Sequence, residues 1–263
     1  MRYFWPARGK FLESLRLAGR VFLLFDFDGT LAPIVIHPAR ARLPIRSRRA
    51  LVRLGRRPQF VIGIVTGRTL ADIRRRARLT GAFYVGSHGF EYVLPGGRPV
   101  SLSRRAWFAT LRQLRRRLRE LLQPGAGLRW ESKTYSLALH YREVGPAHVA
   151  NVLRGARRVA KEFGPPARLQ HGKKLVEFLP NVGVTKATTV RQVLSRLTKG
   201  LRRSCAVVCF GDDLTDEPVF RAVGRQGWSV WVGGNRARTA ARYYLRSPAE
   251  VTRWLEWLVE VTR

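Results

Sequence analysis

The chain has 263 residues, 45% of them hydrophobic, and 50 Lys plus Arg against 17 Asp plus Glu give a formal net charge of +33. That length and apolar content suit a sizeable core of one large or two modest domains and exclude a disordered chain, and no apolar run reaches the length of a membrane span. The basic residues are spread along the whole chain, so they read as solvated faces and a field that steers anions inward rather than as a specific nucleic-acid site.

Residues 1–20 carry scattered charges and no uninterrupted apolar region, so no signal peptide is expected and a cytoplasmic setting is the default expectation. Phe11, Leu12 and Leu15 suggest a short amphipathic helix or arm there. Val21–Leu31 reads VFLLFDFDGTL. Five apolar residues lead into Asp-Phe-Asp-Gly-Thr, as in a strand buried on both faces of a parallel sheet. Side chains alternate across a strand, so Asp26 and Asp28 share a face. Gly29 then lets the chain turn. Ligands of open α/β sheets sit at this end of the strands. Two close acids there suit a divalent cation and a phosphoryl group, one acid attacking and the other moving a proton. A polar turn after a core strand is the plainer alternative for an isolated pair of acids.

A proline-punctuated loop follows over 32–44, then a basic amphipathic helix over 46–56. FVIGIV at 60–65 is a second buried strand running into Thr66-Gly67-Arg68. A hydroxyl beside backbone N–H groups can bind a phosphate oxygen, although that tripeptide alone is more often an ordinary strand-to-helix turn. A third strand over 82–85 precedes Gly86-Ser87-His88-Gly89-Phe90-Glu91. The middle section changes character. Trp107, Leu111, Leu114, Leu118 and Leu121 form the core stripe of an Arg-rich helix over 103–122. Segments 128–133, 135–141, 146–163, 167–170 and 174–179 alternate as two strands, helix, two strands. This pattern predicts a small α/β lid inserted into the main domain, over 99–181, with the core at 1–98 and 182–263. A helix over 185–197 carries Lys186 in its first turn, where a solvated lysine is the plain reading. CAVVCF at 205–210 is a fourth buried strand ending in Gly211-Asp212-Asp213-Leu214-Thr215-Asp216-Glu217. Cys205 and Cys209 lie about 13 Å apart along it, too far for a disulfide. Another strand at 228–232 precedes a final helix opened by Ser247, Pro248 and Glu250.

DFDGT after its apolar run resembles the nucleophile motif of the haloacid dehalogenase superfamily. Thr66 then matches that superfamily's second motif and becomes a phosphate ligand. GDDLTDE looks like the fourth motif of the trehalose-6-phosphate phosphatases, and GSHGFE fits their GxHGxE. Glu131-Ser132-Lys133 with Ser136 and His140-Tyr141-Arg142, and Gly172-Lys173 with Glu177 and Pro180, resemble that family's two lid segments. The resemblance spans about Phe22 to Phe220. It implies a Rossmann-like α/β core with a parallel sheet and an inserted α/β cap, and hydrolysis of trehalose 6-phosphate to trehalose and phosphate through an aspartyl-phosphate. Asp26 would attack phosphorus. Asp28 would protonate the leaving oxygen and then activate water. Lys186 would offset charge, and Asp213 would orient Lys186 or a metal-bound water. Mg2+ would be held by Asp26, the Asp28 carbonyl and Asp212. Gly67, Arg68 and His88 would join Glu131, Lys133, Arg142, Lys173 and Glu177 in substrate binding, the lid residues holding sugar hydroxyls by charge-assisted hydrogen bonds. For each lid residue, an exposed strand charge remains the plain alternative, and Ser136 and His140 could equally be structural.

One departure stands out: Thr185-Lys186-Ala187 replaces the family's usual Asn-Lys-Gly. A different sugar phosphate, such as sucrose phosphate or a mannosyl-phosphoglycerate, stays open as substrate. The alternative from another class is an inactive polyanion-binding protein. A monomer acting on a small sugar phosphate is expected, with a trehalose-6-phosphate synthase as a candidate partner, no specific nucleic acid and no membrane.

Overall fold

The computed structural model describes residues 1–262 except 103–104, 123–126, 202–203, 225–226 and 237. The chain forms two compact units, Met1–Val100 with Thr185–Arg263, and Ser101–Val184. In chain order the first unit begins with β1 (Arg2–Tyr3), α1 (Arg8–Leu17), β2 (Arg20–Phe25), α2 (Ile45–Gly55), β3 (Phe60–Val65), α3 (Leu70–Ala77), β4 (Phe83–Gly86), β5 (Glu91–Val93) and β6 (Val100–Ser101). The second unit holds α4 (Arg105–Leu121), β7 (Arg129–Ser132), β8 (Leu137–His140), α5 (Pro146–Phe163), β9 (Ala167–Gly172) and β10 (Leu175–Pro180). The chain then returns with α6 (Lys186–Thr198), β11 (Cys205–Gly211), α7 (Glu217–Val223), β12 (Trp228–Val232), β13 (Tyr243–Leu245) and α8 (Pro248–Val261). The expected start of the Arg-rich helix at 103–104 lies outside the described residues.

The first unit is built on a nine-stranded sheet in the order β1-β13-β12-β11-β2-β3-β4-β5-β6. Every pairing from β1 to β4 is parallel, and β5 runs antiparallel to β4. The apolar run of β2 explains its central place: Val21 through Phe25 are all buried, as a strand covered on both faces requires. Chain order reverses at β2. From it the chain winds one way through β3 and β4, and on its other side lie β11 and β12. The crevice at such a switch point is where ligands of open α/β sheets bind.

Aromatic packing anchors the β11 side of the sheet. Phe25 and Phe210 stack at 4.8 Å between ring centroids, and Trp254 of α8 meets Phe210 at 4.7 Å. The N-terminal residues do more than form the expected arm. Arg2–Tyr3 adds an edge strand parallel to β13. Phe4 behind it is fully buried and packs edge-on against Phe11, Trp228 and Trp254. Glu250 of α8 ties this segment down. Its carboxylate accepts hydrogen bonds from the Tyr3 hydroxyl, from Trp5 Nε1 at 3.1 Å and from the Arg246 N–H at 2.6 Å. Ser247 caps the same helix by accepting from the Glu250 N–H. Cys205 and Cys209 are free thiols, and burial pushes the Cys209 thiol well up.

In the second unit a four-stranded antiparallel sheet, β7-β8-β10-β9, carries α4 and α5 on one face. Leu137 and Leu139 of β8 and Val176 and Phe178 of β10 point into that helical core, with Trp107, Leu111, Leu114 and Leu118 of α4 opposite. The alternate residues of the same strands therefore occupy the other face of the sheet. Among the described residues, no helix is long and apolar enough to cross a membrane.

Candidate active site

Three neighbouring parallel strands, β11, β2 and β3, each end one residue before a chemical group: Asp212, Asp26 and Thr66. The sheet itself holds these positions. The Asp26 N–H donates to the Phe210 carbonyl at 2.9 Å, and the Thr66 N–H to the Val85 carbonyl at 2.9 Å. After Asp28 the chain turns back on itself, with the Gly29 N–H donating to Ala32 at 2.7 Å. Gly29 has φ +84°, and a Cβ there would lie 2.0 Å from Asp212 Oδ2. The glycine of the DFDGT motif is thus required twice, by its backbone and by the carboxylate of the neighbouring strand. Thr30 Oγ1 donates to Asp212 Oδ1 at 3.1 Å and steadies that carboxylate.

Lys186 enters from the first turn of α6. It is 4% exposed, and its Nζ donates to Asp26 Oδ1 at 3.0 Å and to Asp216 Oδ1 at 2.8 Å. The other oxygen of Asp216 accepts from the backbone N–H groups of Asp212 and Asp213, at 3.1 and 3.2 Å. Asp216 therefore orients Lys186. Asp213, expected to orient Lys186 or a metal-bound water, accepts from the Leu214 N–H at 2.7 Å and opens the 3-10 turn Leu214–Asp216 that carries Asp216 inward. Thr185 caps α6 through a reciprocal pair with Thr188, and Ala187 is buried in its first turn. The departure from Asn-Lys-Gly thus preserves the helix start and its lysine.

Burial pushes the Asp26 carboxyl well above the usual range. Lys186 opposes the rise, and Asp216, Asp212 and Asp28 add to it. Burial alone would lower the Lys186 ammonium, but the Asp216 and Asp26 carboxylates more than offset this, so it stays charged. Asp26, Asp212 and Asp216 have carboxylate oxygens all within 4.8 Å of one another. Three acids against one ammonium leave surplus negative charge, and a donor set made of oxygen alone fits a hard divalent cation. Both Asp216 oxygens already accept hydrogen bonds, so Asp26 and Asp212 are the better-placed holders.

Gly67 and His88, both expected to bind substrate, lie together: a Cβ on Gly67 would meet the His88 ring at 2.5 Å. His88 takes a positive φ of 57°, and its N–H donates to the Thr66 carbonyl. Glu91, which closes the same motif, accepts from Ser87 Oγ at 2.5 Å and the Leu70 N–H at 2.7 Å, so it fastens this turn to the start of α3. Arg68, expected to bind substrate, makes its hydrogen bonds within the protein. Its guanidinium grips Asp28 through Nε at 2.6 Å and Nη2 at 2.7 Å. It also donates to Asp72 at 2.8 Å and to the Pro38 carbonyl at 2.8 Å.

In the second unit, Glu131, Ala138, Glu177 and Gln170 form a row across the four strands on the face away from the helices. Glu177 is 1% exposed and accepts from Lys133 Nζ at 3.0 Å and from the Ser136 hydroxyl. Glu131 lies 2.8 Å from His140 Nε2, and this hydrogen bond holds its carboxyl below the usual range. Small Ala138 separates the two acids of the row. Arg142 and Lys173 sit elsewhere, exposed at the end of the β9–β10 hairpin, where Arg142 donates to the Lys173 carbonyl at 3.3 Å. The sequence reading thus missed Asp216, Thr30 and Asp72. The signal for Asp216 was present in GDDLTDE, whose third carboxylate had no assigned task.

Comparison with known proteins places these features in context. The trehalose-phosphatase family model matches residues 24–249. The trehalose-phosphate phosphatase of Mycobacterium tuberculosis H37Rv is 35% identical over 246 residues, which cover 92% of this chain and 62% of that protein. The chain thus spans less than two thirds of the length of that curated relative. A trehalose-6-phosphate phosphatase of Aspergillus fumigatus superposes with a TM-score of 0.66 at 27% identity, covering 97% of each chain. The C-terminal domain of the Candida albicans trehalose-6-phosphate phosphatase shares the fold, with a TM-score of 0.81 at 24% identity over 97% of each chain. The chain belongs to the trehalose-phosphatase family.

Proposed function

We propose that this chain is a phosphatase that hydrolyses trehalose 6-phosphate to trehalose and phosphate through an aspartyl-phosphate on Asp26. The observation that carries the reading is the buried Asp26–Lys186–Asp216 line beside Asp212, at the switch point of a sheet whose family match spans 24–249. Phosphoryl transfer asks a protein chiefly for position and charge compensation. An Asp26 oxygen attacks phosphorus while Lys186 holds its other oxygen and shares the negative charge. The electron pair of the breaking P–O bond passes to the sugar oxygen, which takes a proton from Asp28. Asp28 then accepts a proton from the water that attacks the acyl phosphate and frees Asp26. Thr66 and the N–H groups beside it bind phosphate oxygens. Mg2+ is the proposed cofactor, held by Asp26 and Asp212 with the Asp28 carbonyl. When bound it supplies charge neutralisation at the phosphoryl oxygens.

Sugar recognition is assigned to the second unit. Glu131, Lys133 and Glu177, on the face free of helices, offer charged donors and acceptors suited to sugar hydroxyls. Arg142 and Lys173 form a separate exposed pair, which lowers their claim to the same sugar. The test is phosphate release with Mg2+ from trehalose 6-phosphate, sucrose 6-phosphate, glucose 6-phosphate and p-nitrophenyl phosphate, each with an EDTA control. Metal-dependent preference for trehalose 6-phosphate is expected. Metal-dependent preference for another ester would keep the chemistry and discard the sugar. No turnover of any ester would return attention to polyanion binding.

A further inference from the structure

Arg68 is one of the most heavily engaged arginines of the first unit, and its engagement is with the acid that must move protons. Its side chain is 11% exposed. Two of its nitrogens meet both oxygens of Asp28, at 2.6 and 2.7 Å. The guanidinium is itself fixed from behind. Asp72, one helical turn on, accepts from Nη1 at 2.8 Å, the Pro38 carbonyl accepts from Nη2 at 2.8 Å, and the Phe27 ring lies 5.5 Å from the guanidinium carbon. Asp72 is in turn held by Arg76 at 2.7 Å and Arg75 at 2.8 Å. Burial would raise its carboxyl, but hydrogen bonds from Arg76, Arg68 and Arg75 hold it down at about 2, so the anchor stays ionised at working pH. Arg76 also donates to the Ala39 and Ala41 carbonyls, which locks the segment after the DFDGT turn to the same helix face.

A guanidinium with its donors so committed has little left for a phosphate or a sugar. A carboxylate offers about four lone-pair sites, and a two-pronged arginine takes one on each oxygen, so Asp28 keeps acceptor sites for a travelling proton. We propose that Arg68, backed by Asp72, is a positioning residue that fixes the Asp28 carboxyl for proton transfer and does not bind substrate. The proposal rests on the phosphatase reading above and deepens it. Side chains are productive only when held to within a fraction of an ångström, and a planar two-pronged contact supplies this where a lysine cannot.

Two kinds of ester separate the roles. An alkyl phosphate such as a sugar phosphate expels an alkoxide, which needs a proton as the P–O bond breaks. In p-nitrophenyl phosphate the electron pair leaves on a stabilised phenolate and needs none. The ratio kcat/KM reports steps up to departure of that group. The experiment compares Arg68→Gln, Arg68→Lys and the wild-type chain on the best alkyl ester of the panel and on p-nitrophenyl phosphate, with far-ultraviolet circular dichroism to check folding. For Arg68→Gln, kcat/KM on the alkyl ester is expected to fall by about tenfold to a hundredfold through kcat, with KM within about twofold and the aryl ester changed by less than about threefold. Arg68→Lys should fall between the two. Equal loss on both esters would mean phosphate binding or general disturbance and would overturn the proposal, as would no loss on either. A wild-type chain inactive on every ester would instead sink the phosphatase reading.

Discussion

Replacing Lys186 by methionine, of similar length and without charge, tests how the acid cluster is held. The ammonium is 4% exposed and bridges Asp26 and Asp216, themselves 7% and 4% exposed. Without it, two buried carboxylates lose their cation while Asp212 stays beside them. Removing one partner of a buried ion pair costs about 3–5 kcal/mol. We expect Lys186→Met to lose about that much at pH 8 without divalent cation, read as a drop in the urea midpoint at unchanged slope. The sign of the pH dependence follows from Asp26, which burial already pushes well up and which loses the opposing lysine in the variant. A carboxyl raised in the folded state binds protons that the unfolded chain, at about 3.9 for Asp, does not. Stability of the variant should therefore rise as pH falls from about 8 toward 5, and the deficit against wild type should shrink over that window. An equal deficit at both ends, or a variant as stable as wild type at pH 8, would refute this account of the cluster.

Gly29→Ala should weaken Mg2+ binding by about tenfold or more in isothermal titration, because a Cβ there must displace Asp212 Oδ2 while φ stays at +84°. An unchanged affinity would remove the steric argument. Asp72 is held down at about 2, so its contribution to stability is full above about pH 4 and is lost as pH falls toward 2. Urea midpoints of wild type and Asp72→Asn should differ by a constant amount above pH 4 and converge below it; parallel curves down to pH 2 would contradict this. Glu250→Ala strands the Tyr3, Trp5 and Arg246 donors and should cost about 2–3 kcal/mol. Hydrogen exchange at the Arg2 and Phe4 amides should quicken more than exchange in β2, and uniform change would argue against a local tether.

The readable parts of this chain were those where one local signal sufficed. The apolar runs of β2, β3, β11 and β12 announced buried parallel strands because both faces are covered, and Trp107 to Leu118 announced the core face of α4 by spacing alone. The strands β1, β5, β6 and β13 are two or three residues long, too short for any period to show, and edge pairing rather than propensity makes them strands. Within the site, Asp26, Asp212 and Lys186 stood at strand ends or a helix start and were legible. Asp216 stood in GDDLTDE without an assigned task, because a 3-10 turn rather than a regular element aims its carboxylate back at Lys186. Arg68 shows the opposite case. Its place after a strand end suggests an anion ligand, and only the fold reveals that Asp28 and Asp72, 40 residues behind it in one case and four ahead in the other, already occupy it.

The pairing of β2 with β11 also sets a timetable for the ribosome. Phe25 and its partner Phe210 share a ladder, but the whole second unit is encoded between them. At about 5–20 residues per second, the interval of about 185 residues from Arg20 to Cys205 leaves one side of β2 unpaired for about 10–40 s of synthesis. During that time β2, β3 and β4 can associate through nearest neighbours, yet the aspartate at the tip of β2 has no Asp212 beside it and no Lys186 to balance it. The nascent chain thus carries an open, strongly apolar strand edge until β11 emerges, and a chaperone would be of most use in that interval.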